Sequence, residues 1–291
     1  MKTRRLWIGF MTVVTVSFAV LLFFGREIYR QAPPVPDRVV TTDGKLLFTG
    51  QDIKDGQNVW QSMGGQELGT VWGHGAYQAP DWSADWLHRE AVFILNRMAQ
   101  ETDSAGFDQL GEERKASLKV KLQEELRPNT YDAVMGILTV SALRAEAIAH
   151  NSSYYAGLFT DDPARDAERE VYSVPVNSLK DPERVRKLNA FFFWISWACV
   201  TQRPGQDITY TNNWPPEDLV GNKPTGALLL WTGFSVIILI AGIGLMAWYY
   251  ARRKDESSGV LPSDFPLKNE KVTPSQKATL KYFWIVSALL L

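Results

Sequence analysis

Two stretches of the chain carry no charge at all, Leu6 to Phe24 and Thr225 to Ala251. A bilayer's hydrocarbon core takes roughly 20 apolar residues in helical form. A helix packed on the side of a soluble core would interrupt such a run with a polar stripe at 3.6-residue spacing, and neither run shows one. Both are therefore predicted to span a membrane. The last residues, Leu280-Lys281-Tyr282-Phe283-Trp284-Ile285-Val286-Ser287-Ala288-Leu289-Leu290-Leu291, form another apolar run. It is about half the length of a span, so we expect a third membrane helix to start at 279–291 and to be cut short there.

Between the spans the pattern changes. Ala32-Pro33-Pro34-Val35-Pro36 followed by Thr41-Thr42-Asp43-Gly44 reads as an extended arm with a turn. A helix is expected from Gly50 to Trp60, capped near Thr49 or Asp52. Gly64, Gly65, Gly69, Gly73, Gly75 and Pro80 make 61–83 a structured loop. Helical spacing returns from Ser83 to Glu101, from Glu112 to Leu126 before Arg127-Pro128, and from Tyr131 to Ala149. In the last of these, Val134, Leu138, Leu143 and Ala147 would share an apolar side. A final helix starts at Asp181-Pro182 and runs through Phe191-Phe192-Phe193-Trp194-Ile195. No period-two strand pattern stands out, and the domain reads as mainly helical.

Basic residues orient the whole. Lys2, Arg4 and Arg5 precede the first span, and Arg252, Arg253 and Lys254 follow the second. Positive flanks stay cytoplasmic, which places 25–224 outside the cell or in the periplasm. A cleaved signal peptide would also begin with a basic segment. However, the apolar run is long for one, and Gly25-Arg26-Glu27-Ile28 offers no small-x-small cleavage site. The expected plan is a cytoplasmic N-terminus (1–5), span one (6–24), an exterior domain (25–224), span two (225–251), a cytoplasmic loop (252–278) and the truncated third span (279–291), all in the cell's inner, cytoplasmic membrane.

Composition adds limits. The net charge is −1, with no basic block away from the membrane flanks, so no nucleic-acid partner is expected. A single cysteine, Cys199, excludes an intrachain disulfide framework and any cysteine-pair metal or haem site. The three histidines, His74, His88 and His150, are too few and too scattered to predict a metal centre. Glu67, Asp85 and Glu90 are carboxylates without a nucleophile to serve. Trp60, Trp72, Trp82 and Trp86 are unusually dense. They suit either a core of large rings or the filling of a space once shaped for a flat apolar group, and the pattern leaves both open.

The block Gly56-Gln57-Asn58-Val59-Trp60 … Gly69-Thr70-Val71-Trp72-Gly73-His74-Gly75-Ala76-Tyr77-Gln78-Ala79-Pro80-Asp81-Trp82, continued by Ser83-Ala84-Asp85-Trp86-Leu87-His88-Arg89-Glu90, resembles the N-terminal domain of quinol-dependent nitric oxide reductases. Tyr210-Thr211-Asn212-Asn213-Trp214-Pro215-Pro216 and Leu280-Lys281-Tyr282-Phe283-Trp284 extend the resemblance along the chain. It implies a cytochrome c-like exterior fold, bracketed by two transmembrane helices, that has lost its haem. Where haem-bearing relatives carry Cys-x-x-Cys-His, this chain has Gly65, Leu68 and Gly69, which form no thioether and ligate no iron.

The resemblance further implies a complete enzyme that reduces two NO to N2O and water with electrons from quinol. Its low-spin haem b, high-spin haem b3 and non-haem iron would sit on later membrane helices, and its quinol pocket beyond Leu291. It also implies a calcium site, shared with that missing catalytic part, to which Gly75 and Tyr77 contribute. On this reading the chain has no catalytic residue, binds no cofactor alone and acts as anchor and exterior cap, with the lipid bilayer and the catalytic part as partners. The alternative is the extracytoplasmic sensor or binding domain of a two-span protein. Such a protein would continue into cytoplasmic heptads, whereas this chain turns back towards the membrane.

Overall fold

Both uncharged runs lie in long helices in the computed structural model, which describes residues 2–257 together with Tyr282 and Trp284. They are α1 (Lys2–Gln31) and α8 (Gly226–Ser257), with the shorter helices of the domain between them in the chain. Each contains a stretch long and apolar enough to cross a membrane, Thr3–Gln31 and Gly226–Arg252, with none of its most apolar segment buried. The chain forms two compact units, Met1–Leu228 and Leu229–Leu291. The expected loop from residue 258 on and the third span expected over 279–291 lie outside the described residues, apart from Tyr282 and Trp284, which are helical.

The first unit holds the domain between the spans. Helices dominate it: α2 (Gly50–Ser62), α3 (Trp82–Asp103), α4 (Glu112–Leu126), α5 (Ala142–Phe159), α6 (Asp166–Tyr172) and α7 (Pro182–Val200). Four of these six helices start at short polar side chains that accept otherwise unpaired backbone N–H groups. Thr49 and Asp52 cap α2 reciprocally, Asp81 caps α3, Ser141 caps α5, and Asp181 with Pro182 opens α7. The helix expected over 50–60, that over 112–126 and the one opening at Asp181-Pro182 stand as predicted, and the expected 83–101 helix runs slightly longer at both ends.

The domain is mainly helical as expected, but it also contains strands where no strand pattern stood out in the sequence. A four-stranded sheet runs in the order β2 (Leu46–Thr49), β1 (Arg38–Thr41), β4 (Ile137–Val140), β3 (Tyr131–Asp132). β1 pairs antiparallel with β2 and parallel with β4, and β3 pairs antiparallel with β4. The helix expected from Tyr131 is therefore absent until Ala142. Asp132 Oδ1 accepts the N–H groups of Val134 and Met135, and Gly136 adopts φ +66°, so the segment turns where a helix would need to continue. Val134 is almost wholly exposed while Leu138 is buried, which separates two residues that helical spacing had placed on one side. Pairing with β1, almost a hundred residues earlier, decides the outcome, and local periodicity cannot register it.

Two apolar clusters fill the domain. One lies among α2, the sheet, α5 and α7 and is rich in aromatic rings. The other joins Leu87, Ile94 and Leu95 of α3 to Leu118, Leu122 and Leu126 of α4, and to Cys199 and Val200 at the end of α7. Cys199 is fully buried and free, and burial pushes its thiol well above the usual range. Gly56 allows α2 to lie directly on α7, because a Cβ there would stand 2.0 Å from the Lys187 carbonyl oxygen.

Candidate functional site

The segment between α2 and α3, residues 63–81, carries the densest sequence signals and is built around one carboxylate. Asp81 Oδ1 accepts from the N–H of Ser83 (3.1 Å), the N–H of Ala84 (3.0 Å) and the Ser83 hydroxyl. Its Oδ2 accepts from Thr70 Oγ1 and from the N–H of Gly73, both at 2.7 Å. Asp81 therefore caps α3 and fastens the loop in the same stroke. Thr70 Oγ1 in turn accepts from the Gly75 N–H at 2.8 Å, and its carbonyl accepts from the Trp82 N–H at 2.9 Å. A carboxylate that takes several hydrogen bonds in a buried place orders everything bonded to it.

Gly69 sits at the centre of the glycine-rich block. An added Cβ would stand 2.3 Å from Trp82 Nε1 and 2.8 Å from the Pro80 carbonyl oxygen. The Gly69 carbonyl meanwhile accepts from Trp60 Nε1 at 3.3 Å. No side chain fits at this position, least of all an imidazole aimed inward. Behind it the space is solid with rings. Trp82 stacks on Phe192 (5.3 Å, 14°) and meets Tyr155 and Phe159 at 6.1 and 5.7 Å. Trp86 lies parallel to Tyr155 (5.3 Å, 2°), and Trp60 packs on Phe191 at 5.8 Å. Trp82, Trp86, Tyr155, Phe159 and Phe192 are all fully buried. Gly65 (φ +54°) and Leu68, the other two positions of interest, supply no thiol. A covalently attached haem with a histidine ligand does not fit these residues.

Next to the rings is a polar cluster. Asp85 accepts from Tyr155 Oη (2.5 Å), Tyr172 Oη (3.3 Å) and Arg89 Nε (2.9 Å). Arg89 also donates to Tyr154 Oη at 2.8 Å and lies 3.6 Å from the centre of that ring. Burial pushes the Tyr155 phenol far above its usual range, and the adjacent Asp85 carboxylate adds to it. Deeper still, Glu90 and Arg144 pair at 2.8 Å with side chains 0% and 4% exposed. Burial raises Glu90, and Arg144 pulls it part of the way back.

The three histidines have separate partners, although His88 and His150 line one surface cavity. His74 meets the Trp214 ring edge-on at 4.6 Å, His88 Nδ1 bonds Glu217 at 2.8 Å, and His150 lies on Phe93 at 4.7 Å. The bond to Glu217 raises His88, against the pull of burial. Among the described residues, no three His, Cys, Asp or Glu side chains gather as a metal-binding set. Gly75 takes φ +87°, and the Tyr77 side chain is fully exposed. The loop is braced by Trp214, whose Nε1 donates to the Gly73 carbonyl at 3.0 Å.

Sequence reasoning singled out Trp60, Trp72, Trp82 and Trp86. Three of these are buried, while Trp72 is half-buried with its Nε1 donating to the Ile195 carbonyl at 2.9 Å. It passed over Asp81 and Arg144. The Asp81-Trp82-Ser83 helix-start pattern could have flagged the first. Nothing local marks the second, because its partner lies 54 residues away.

Among known families, the cytochrome c-like domain of the nitric oxide reductase protein NorB matches residues 36–216. A comparison with curated proteins finds no match.

Proposed function

The chain belongs to the NorB family of nitric oxide reductases through its cytochrome c-like domain, and from that premise we propose that it is the N-terminal anchor and exterior cap of a quinol-dependent nitric oxide reductase. The observation that carries this reading is Gly69 closed beneath Trp82, with a solid aromatic layer behind it. A domain packed in this way has no place for a covalent haem relay. Electrons would then reach the catalytic part from a donor within the membrane, which suits quinol. The two apolar helices supply the anchor, with the domain on the periplasmic or outer side of the cytoplasmic membrane.

The haem b, haem b3 and non-haem iron belong, on this reading, to the catalytic membrane part of the same polypeptide. This chain's share of the metal chemistry is a calcium site at the joint between the two parts. Calcium takes oxygen ligands, backbone carbonyls included. Among the described residues the carbonyls of Gly75 and Tyr77 accept no hydrogen bond, so both are free to ligate. The full enzyme would serve denitrification, detoxification of nitric oxide, or a respiratory chain that ends on it.

The test uses membranes that carry the gene's full product. We expect NO consumption with reduced quinol as donor, none with reduced cytochrome c, and no covalent haem on the denatured polypeptide. Turnover driven by cytochrome c, or a haem-stained band, would overturn the proposal.

A further inference from the structure

Val134 is 94% exposed and Met135 59% exposed, side by side at the tip of the turn between β3 and β4. Single exposed apolar residues are ordinary on protein surfaces, but these two are displayed on a stiffened support. The Asp132 carboxylate accepts the N–H groups of Val134 (2.8 Å) and Met135 (3.0 Å), and Gly136 closes the turn. The Gly136 carbonyl then accepts from the N–H groups of Asp37 (2.7 Å) and Arg38 (3.3 Å).

Those last two bonds locate the tip relative to α1. β1 and β4 run parallel, with Arg38 opposite Ile137, so the turn that precedes β4 lies at the end of the sheet where the arm from α1 enters. From Gln31 to Asp37 the arm reaches at most about 20 Å when fully extended. It is fixed at two further points: Trp194 Nε1 donates to the Pro34 carbonyl at 2.9 Å, and Arg203 Nη1 donates to Gln31 Oε1 at 2.6 Å. The domain is thus tied to the last turn of α1, seven residues beyond the uncharged run that ends at Phe24, with the Val134–Met135 tip at the sheet end where the arm enters. Charges at the tip, Asp132 and Asp37 against Arg38, give no positive excess, so attraction to anionic headgroups is not the driving term.

We propose that the Val134–Met135 turn is a lipid-contacting wedge, which dips into the outer interfacial layer of the bilayer that α1 crosses and steadies the domain on its surface. The inference rests on the membrane-anchor reading. Interfacial binding draws on buried apolar area and on attraction to anionic headgroups; with no positive excess at the tip only the first acts, so phosphatidylcholine alone should support it.

The experiment places one cysteine at a time, Val134→Cys, Val16→Cys or Val171→Cys, in the full chain and labels it with an environment-sensitive NBD dye. The native Cys199 is fully buried and does not compete. In phosphatidylcholine vesicles, the label at 134 is expected to emit at shorter wavelength than the label at 171. It should lose intensity to nitroxide-bearing lipid and resist aqueous iodide. The label at 16, within α1, reports the anchor independently. If 16 is quenched by lipid nitroxide while 134 is quenched by iodide as readily as 171, the wedge is overturned and the anchor stands. If 134 is shielded from both quenchers, protein covers the tip and the lipid assignment is wrong. If 16 itself escapes lipid quenching, the anchor reading fails, and the wedge with it.

Discussion

Replacing Arg144 with methionine removes the ion-pair partner of a carboxylate that is wholly buried. Glu90 and Arg144 have side chains 0% and 4% exposed and pair at 2.8 Å, joining α3 to α5. Breaking a buried pair from one side typically costs about 3–5 kcal/mol, because the remaining charge is left uncompensated. At two to four degrees per kcal/mol for a domain of this size, Arg144→Met should lower the melting temperature by roughly 6–20 °C. The cost should also depend on pH. Burial already raises the Glu90 pKa, with Arg144 opposing it, so without Arg144 the folded-state value rises further above the unfolded one. The folded state then binds more protons than the unfolded state, and stability falls as pH rises between the two values. Arg144→Met is therefore least damaging in acid, where Glu90 is neutral in both states, and most damaging near neutrality. The double variant Glu90→Leu/Arg144→Met should recover most of the loss, since a packed apolar pair is often neutral or better. Thermal melts of the detergent-solubilised chain across pH 4 to 8, followed by tryptophan fluorescence, measure all of this. A cost below about 1 kcal/mol, a cost flat in pH, or a double variant as unstable as the sum of the singles would refute the reasoning.

Four further outcomes follow from the site, the caps and a surface ion pair. Gly69→Ala drives a methyl group to 2.3 Å from Trp82 Nε1 and against the Pro80 backbone, and should cost about 1–3 kcal/mol by overpacking, read as a lower melting temperature with a disturbed Trp82 environment in near-UV circular dichroism. Asp52 is drawn down to about 2 by its bond from Arg186 at 2.6 Å, assisted by Thr49. Its contribution is present above the ordinary value of 3.8 and is lost as pH falls towards 2, and because Arg186 is 42% exposed it should amount to less than about 2 kcal/mol. Asp52→Asn should remove that acid slope, while Thr49→Ala should cost about 1 kcal/mol at neutral pH through the lost cap. His88, raised by Glu217, stabilises fully below 6.5 and loses that contribution as pH climbs through its folded value. With His88 60% exposed the effect stays under about 1 kcal/mol, and His88→Gln should flatten the stability profile there.

What could be read in the residues was what local chemistry writes. The uncharged runs give the two long helices, and Thr49, Asp181-Pro182 and Arg127-Pro128 mark helix boundaries where the structure has them. The strands escaped because each is four residues or fewer and gains its pairing from distant chain: Val39 meets Leu138 only after the fold is made. The candidate site divides along the same line. Glycines and tryptophans in 56–86 announced an unusual loop, and Gly65, Leu68 and Gly69 carry neither thiol nor imidazole at the positions the resemblance marks for a covalent haem. That Trp82 is the ring closing over Gly69, and that Asp81 fastens the loop, depend on contacts across 8 residues or more, which no periodicity encodes.

The closure of Gly69 beneath Trp82 also limits what this core can become by substitution. To hold a covalent haem here, this domain would need a histidine at Gly69, cysteines at Gly65 and Leu68, and a smaller residue in place of Trp82. A side chain at Gly69 collides with the indole before any iron is present to reward it. Trimming Trp82 first opens a hole in the ring layer, at about 3–5 kcal/mol for a buried tryptophan. Each single step lowers stability while none alone restores a ligand set. The packing therefore acts as a one-way latch: with this space filled, no single substitution leads from the present core towards one that could hold a haem.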